Sequence, residues 1–245
     1  MWLDAQAGIE RHRVYVRRTS DVPDEAYDLV VQGLEKIIEE TGRRIGVIEE
    51  ASDASQGYRS PDWYQQETMM DKQYSHGAQA NAGRIIDLLR SHDTANDHFV
   101  VLITDADLTS GEEGNNFVFG MSSYPYIVVS AKRFLDWQQV TLDNYPEEVY
   151  GQALTVVAAH EFGHYLDLVQ RNFNCWRNTG SLLDRHCRGE NGTCLMQQSN
   201  VDAEGCNTIL EQAFLLFDRE RWLCPDCAAE VYYRKKALAE AGFAW

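Results

Sequence analysis

Long apolar runs are missing from this sequence. Its most apolar stretch, Ala153 to Ala159, contains a threonine and is far too short to span a bilayer, so no membrane-spanning helix is expected. Basic residues are scarce. Lys and Arg number 22 against 38 Asp and Glu, a formal net charge of -16 with a pI near 4.8. Such a surface repels phosphate backbones, so nucleic acid is not an expected partner, and solubility is the plain reading of the charge. Low-complexity tracts and internal repeats are absent, which removes collagen-like, coiled-coil and solenoid classes. The start, Met1-Trp2-Leu3-Asp4, has no basic residue followed by an apolar core, so no secretory signal is expected and a cytoplasmic location follows by default. Cys175 is the first cysteine, so no cysteine-bearing latency segment is expected ahead of the residues discussed below.

What is present is an ordinary soluble composition, 44% hydrophobic and 24% charged, over 245 residues. That length suits one domain of two lobes, or two small domains. His12 to Arg17 alternates as a strand. Asp24 to Glu40 has helical spacing, with Leu29, Leu34, Ile37 and Ile38 inward and a stop near Gly42. Arg44 to Ile48 reads as a second strand, Ala51 to Asp62 as a loop and Gln73 to Arg90 as a second helix. Phe99 to Thr104 is β-branched and apolar, hence a buried strand. Phe117 to Phe119 and Tyr126 to Ser130 are shorter strand candidates. Pro146 opens a long helix reaching about Val169. Beyond it, Asn172 to Asn200 is polar, glycine-bearing and irregular. A helix over Thr208 to Arg219 follows, and a last one runs from the Cys224–Cys227 pair to about Ala241. An α/β lobe therefore precedes the long helix, and a loop-rich lobe too polar for a large core follows it, which a structural metal would compensate.

The strongest chemical signal is His160-Glu161-Phe162-Gly163-His164. Residues four apart on a helix share a face, one turn up, so two imidazoles can grip one Zn²⁺. The Glu beside the first His then lies near the open position, where it can take a proton from water that the zinc activates. A third ligand is needed. Asp167 shares the histidine face, but it lies about 4.5 Å beyond His164 along the axis at 1.5 Å per residue, and its side chain is short. His186, in the irregular segment with Cys187 directly after it, is the other candidate; read alone it is a loop histidine, and the resemblance given below is what favours it. His12, His76, His92 and His98 read as solvated or structural.

The cysteines form a second set. Cys187 and Cys194, then Cys224 and Cys227, give C-x6-C followed by C-x2-C. The close pair is a common half-site for tetrahedral zinc, and the wider pair completes four thiolates. A redox pair at a helix start is the rival reading, but it lacks the βαβ context of thioredoxin-like motifs. Cys175 and Cys206 are left over and read as free thiols.

Taken in order, these pieces resemble the archaemetzincins, a branch of the metzincin zinc metallopeptidases. The motif pieces are His160-Glu161-Phe162-Gly163-His164, His186-Cys187, Cys194-Leu195-Met196 and Cys224-Pro225-Asp226-Cys227. Three upstream segments look like the family's too: Thr104 to Leu108, Asn116 to Gly120 and Ser130 to Phe134. The resemblance implies an α/β (α+β) fold: a mixed, twisted sheet, an active-site helix and a small C-terminal lobe stapled by zinc. It implies two subdomains, 1–169 and 170–245. It implies one catalytic zinc on His160, His164 and His186 with Glu161 as general base. A structural zinc would sit on Cys187, Cys194, Cys224 and Cys227, with Met196 beneath the catalytic metal. Phe117 to Phe119 would be the edge strand along which a peptide substrate pairs. The chain departs from the family pattern at Asp167 and Gln170, where the family has Gly and its third His. The segment from 170 to 185 stands as an insertion of sixteen residues. The expected function is peptide hydrolysis on peptides or proteins by a soluble monomer. A zinc-stabilised binding protein with a degenerate cleft is the other reading.

Overall fold

A computed structural model describes residues 13–45, 48–50, 59–74, 77–92, 98–111, 117–139, 145–166, 168–169, 186–187, 193–197 and 207–242. Two compact units emerge. One joins Met1–Tyr27 with Arg44–Arg133, the other Asp28–Arg43 with Phe134–Trp245. The subdomain boundary expected between 169 and 170 falls at the edge of residues outside the described set.

In the first unit, β-branched and aromatic runs build the sheet. β1 (Arg13–Arg18), β2 (Ile48–Glu50), β5 (His98–Thr104), β7 (Gly120–Ser123) and β8 (Tyr126–Ser130) lie in the order β2-β1-β5-β8-β7. The first four neighbours run parallel and β7 is antiparallel to β8, so the sheet is mixed and β7 is an edge. Every residue of β5 and β8 is buried, as continuous apolar strands in parallel sheets are. A smaller sheet holds β3 (Met69–Tyr74), β4 (Gly77–Asn81) and β6 (Asp107–Thr109) in the order β3-β4-β6. α2 (Pro61–Thr68) starts on Ser60, whose hydroxyl accepts from the Trp63 N–H, with Pro61 preset for the first turn. α3 (Ala82–His92) packs Ile85, Ile86 and Leu89 against Val100, Leu102, Leu108 and Val128.

Three expectations are corrected here. Gln73 to Arg90 is not one helix. Residues Gly77–Asn81 are a strand paired on both sides, with β3 and β6, and the helix begins only after Asn81, whose carboxamide caps the Arg84 N–H at 3.0 Å. Cross-strand pairing overrides the helical spacing, and a small-residue stretch offers little side-chain packing to oppose it. The second strand lies at Ile48–Glu50 rather than Arg44 to Ile48. Phe117 to Phe119 is not the edge strand; Val118 makes a single bridge to Leu108, and the strand forms at Gly120–Ser123.

That bridge sits over a buried ion pair. Arg133 donates to both carboxylate oxygens of Asp107, at 2.7 and 2.9 Å, and Gln79 Nε2 donates to the same carboxylate at 2.7 Å. The guanidinium carbon lies 3.3 Å from the centre of the Phe117 ring. Asp107, Phe117 and Arg133 come from the three upstream segments that resemble the family, so this cluster ties those segments together.

The described residues of the second unit are mainly helical. α1 (Asp24–Thr41) enters it at residue 28, after starting in the first. α4 (Lys132–Gln139) leads into it. α5 (Glu148–Tyr165), α6 (Asn207–Phe217) and α7 (Pro225–Glu240) complete it. α5 is buried through almost all of Val149 to Ala159, which is why its sequence is apolar all round rather than striped. Gly33 of α1 sets a close crossing: a Cβ there would lie 2.2 Å from the Thr155 carbonyl oxygen. The Glu40 carboxylate accepts from the Trp222 and Leu223 N–H groups at 2.9 and 2.7 Å, fixing the approach to α7. Among the described residues no helix is long and apolar enough to cross a membrane.

Candidate metal centres

The late turns of α5 carry His160 and His164. Their Nε2 atoms stand 3.0 Å apart and their rings are edge-on, with centroids 4.6 Å apart. The His186 ring stacks on His160 at 5.3 Å and meets His164 at 4.9 Å. One ring nitrogen from each of the three lies within 4.8 Å of the others. Three imidazole nitrogens each ~2.0–2.1 Å from one ion are ~3.3–3.4 Å apart in tetrahedral geometry, so the set fits a single metal with small adjustments.

His160 is oriented for that task. Its Nδ1 donates to the Leu195 carbonyl oxygen at 2.7 Å, which leaves Nε2 bare as a ligand. Part of the residue remains exposed, yet the ring is enclosed by its neighbours. Burial, then the nearby His186, push its pKa down to about 4, against a smaller opposing effect of the Leu195 hydrogen bond. The neutral form that binds metal is thus the form held in the fold at neutral pH. Glu161 follows directly on α5 and is half-buried.

Beneath the helix lies Met196. A Cβ at Gly163 would stand 2.3 Å from its sulfur, so Gly163 admits the methionine between the two histidine turns. Met196 is fully buried, in the turn that presents the Leu195 carbonyl.

The four cysteines converge as well. Cys187 and Cys224 sulfurs lie 3.6 Å apart, as do Cys194 and Cys227, and all four sulfurs are within 4.8 Å of one another. These separations are far beyond a disulfide bond of ~2.05 Å and close to the ~3.8 Å edge of a tetrahedral zinc–thiolate site. All four thiols are buried. Hydrogen bonding with Cys187 and then Cys224 pushes the Cys194 thiol well above its ordinary pKa. Cys224 moves the other way: its hydrogen bond with Cys187 raises it, but those with Cys194 and Cys227 outweigh that and lower its pKa. A cation among the sulfurs would favour the thiolate form of the set. Cys224 stands at the start of α7 and Cys227 in its first turn. The Cys187 N–H donates to the carbonyl of Met196, two residues beyond Cys194, at 2.7 Å.

The two centres are therefore joined through the backbone. His186 and Cys187 are consecutive, and Leu195 and Met196 follow Cys194 directly. The structure brings His160, His164 and His186 together, and Cys187, Cys194, Cys224 and Cys227 together. Asp167, Gln170, the 170–185 segment, Cys175 and Cys206 lie outside the described residues. One residue near the site went unread in the sequence: Gln212. It is a polar side chain within the buried stripe of α6, between Ile209, Leu210, Ala213 and Leu216, and that misfit was its signal.

Among solved structures, the chain is similar to archaemetzincin from Methanopyrus kandleri, with a TM-score of 0.56 and 19% identity over 96% of this chain and 99% of that one. It is also similar to a zinc-dependent peptidase from Methanocorpusculum labreanum, with a TM-score of 0.51 and 16% identity over 89% of this chain and 99% of that one. The fold is archaemetzincin-like. No family model matches the sequence, and no curated protein matches it. The archaemetzincin-like fold thus rests on backbone arrangement, while the candidate metal centres rest on the side chains described above.

Proposed function

We propose that this protein is a zinc-dependent peptidase, with His160, His164 and His186 binding the catalytic zinc and Glu161 acting as general base. The observation that carries the reading is the convergence of three imidazole nitrogens within 4.8 Å, beside a glutamate on the same helix. The zinc-dependent peptidase named among the structural relatives supports the choice of metal and reaction. A second zinc on Cys187, Cys194, Cys224 and Cys227 is structural in this reading. The chain then divides functionally into 1–169, carrying two ligands and the base, and 170–245, carrying the third ligand and the cysteine site.

When bound, zinc supplies Lewis acidity, polarising a substrate carbonyl and lowering the pKa of water towards ~7. The Glu161 carboxylate accepts the proton of the attacking water and later releases it to the amine nitrogen of the departing strand. The Leu195 carbonyl holds the His160 ring in its Nδ1–H tautomer throughout. Met196 and Gly163 keep the helix turn between the two histidines tightly packed. The test is hydrolysis of a peptide library by protein stripped with a strong chelator and then reloaded with zinc. Cleavage should vanish on stripping and return with the metal. Peptides left intact by fully zinc-loaded protein would refute the peptidase reading.

A further inference from the structure

Gln212 sits on α6 with its side chain inside the unit, 7% exposed in an otherwise apolar stripe. Its Nε2 donates at 2.8 Å to the Cys194 carbonyl and at 3.2 Å to the Leu195 carbonyl, with the Gln197 carbonyl at 3.4 Å. Cys194 belongs to the cysteine cluster, and the Leu195 carbonyl is the one that accepts from His160 Nδ1. One side-chain amide therefore grips the turn at the point where it touches both centres.

We infer that Gln212 is a positioning residue for the histidine centre, setting the Leu195 carbonyl that orients His160. A carbonyl oxygen has two lone pairs, and Leu195 uses them on His160 and Gln212. The turn from Cys194 to Gln197 is short; without Gln212 the Cys194 carbonyl keeps only the Gln197 N–H and the Leu195 carbonyl only His160, so the turn loses these hydrogen bonds to α6. The Leu195 oxygen would then be held by the His160 ring alone, with nothing from α6 to fix its direction. His160 would lose the fixed acceptor that keeps Nδ1 protonated and Nε2 aimed at the metal. Groups that orient a ligating imidazole in this way change metal affinity by about 10–100-fold when removed. The inference rests on the proposal that the three histidines bind metal.

The test uses the full chain with two replacements of similar length. Gln212→Met keeps the packing volume and removes the donor; Gln212→Glu keeps the shape and turns a donor into an acceptor facing carbonyls. Zinc affinity is measured by competition with a chromophoric chelator. Cobalt(II) substitution separates the centres, because thiolate charge-transfer absorption reports the cysteines and the d–d bands of a nitrogen site report the histidines. Both variants should bind metal about 10–100-fold more weakly at the histidines, with altered d–d bands and an unchanged thiolate band. Wild-type affinity at the histidines in either folded variant overturns the inference. So does an equal loss at both centres, or a failure of both variants to fold, since Gln212 would then be a structural residue only. Wild-type protein that takes up cysteine-bound metal but none at the histidines would instead refute the underlying reading of the centre.

Discussion

Glu161 and His160 are neighbours on one helix, yet they stand for different chemical losses. In the proposed mechanism, removing Glu161 would leave the ligands in place, whereas removing His160 would leave Glu161 without a metal beside it. Glu161→Ala should keep both metals and the wild-type melting temperature while peptide hydrolysis falls by about 10²–10⁴-fold. Turnover within a few-fold of wild type would show that another group takes the proton. His186 presents the opposite case. Its ring lies against both other imidazoles, and its chain neighbour Cys187 is bound into the cysteine cluster. His186→Ala should lose one metal per chain and retain the cysteine-bound one, read by elemental analysis. If His186→Ala kept two and Asp167→Ala lost one, the third ligand would lie on the helix instead. At this scale the sequence was legible wherever chemistry leaves a spacing. His160, Glu161 and His164 fall within five consecutive residues of one helix, and Cys224 and Cys227 are a single close pair. Gln212 was not legible in that way, because its partners are backbone carbonyls, which carry no residue signature.

At the scale of elements, legibility followed burial. β5 and β8 are β-branched runs with no polar break, and they lie where such runs belong. α5 has an apolar lead-in buried all round, which length alone marks as helix. The Gln73 to Arg90 stretch misleads because helix-like spacing runs straight through a strand, and only pairing with β3 and β6 decides it. The edge of the main sheet moved for a related reason. Phe117 lies against the guanidinium of Arg133 and Val118 bridges to Leu108 of the smaller sheet, and the chain turns to β8 from the Phe119 carbonyl onward. The role of Arg133 is open to measurement. Arg133→Met strands the Asp107 carboxylate, whose side chain is fully buried, and breaking such a pair costs about 3–5 kcal/mol. Urea unfolding should show that loss. Arg133→Met combined with Asp107→Leu should recover much of it, because the uncompensated charge is gone. A single variant as stable as wild type would mean the cluster contributes nothing to holding the edge.

For the whole molecule, acidification brings two opposed effects. The chain carries a net charge of -16, and self-repulsion among its carboxylates eases as pH falls towards the pI near 4.8, which favours the folded state. The His160 ring works the other way. Its folded pKa is about 4, below the ~6.5 of a free imidazole. Between those values the unfolded chain binds the proton and the folded chain does not, so stability rises with pH across that window and falls as the solution is acidified. Below about 4 both states are protonated and the loss is complete. For metal-free protein the expected loss from this ring is on the order of a few kcal/mol between pH 6.5 and 4. The two effects overlap, so a single pH titration of the wild type cannot separate them. The difference between wild type and His160→Asn does, because the net charge at neutral pH is the same in both. Metal-free wild type should lose melting temperature relative to His160→Asn as pH drops from 6.5 to 4, and the two curves should run parallel above 7. Curves that stay parallel through the acid window would show that the His160 ring titrates in the fold as it does in water, and that its enclosure by His164, His186 and the Leu195 carbonyl does not hold it neutral.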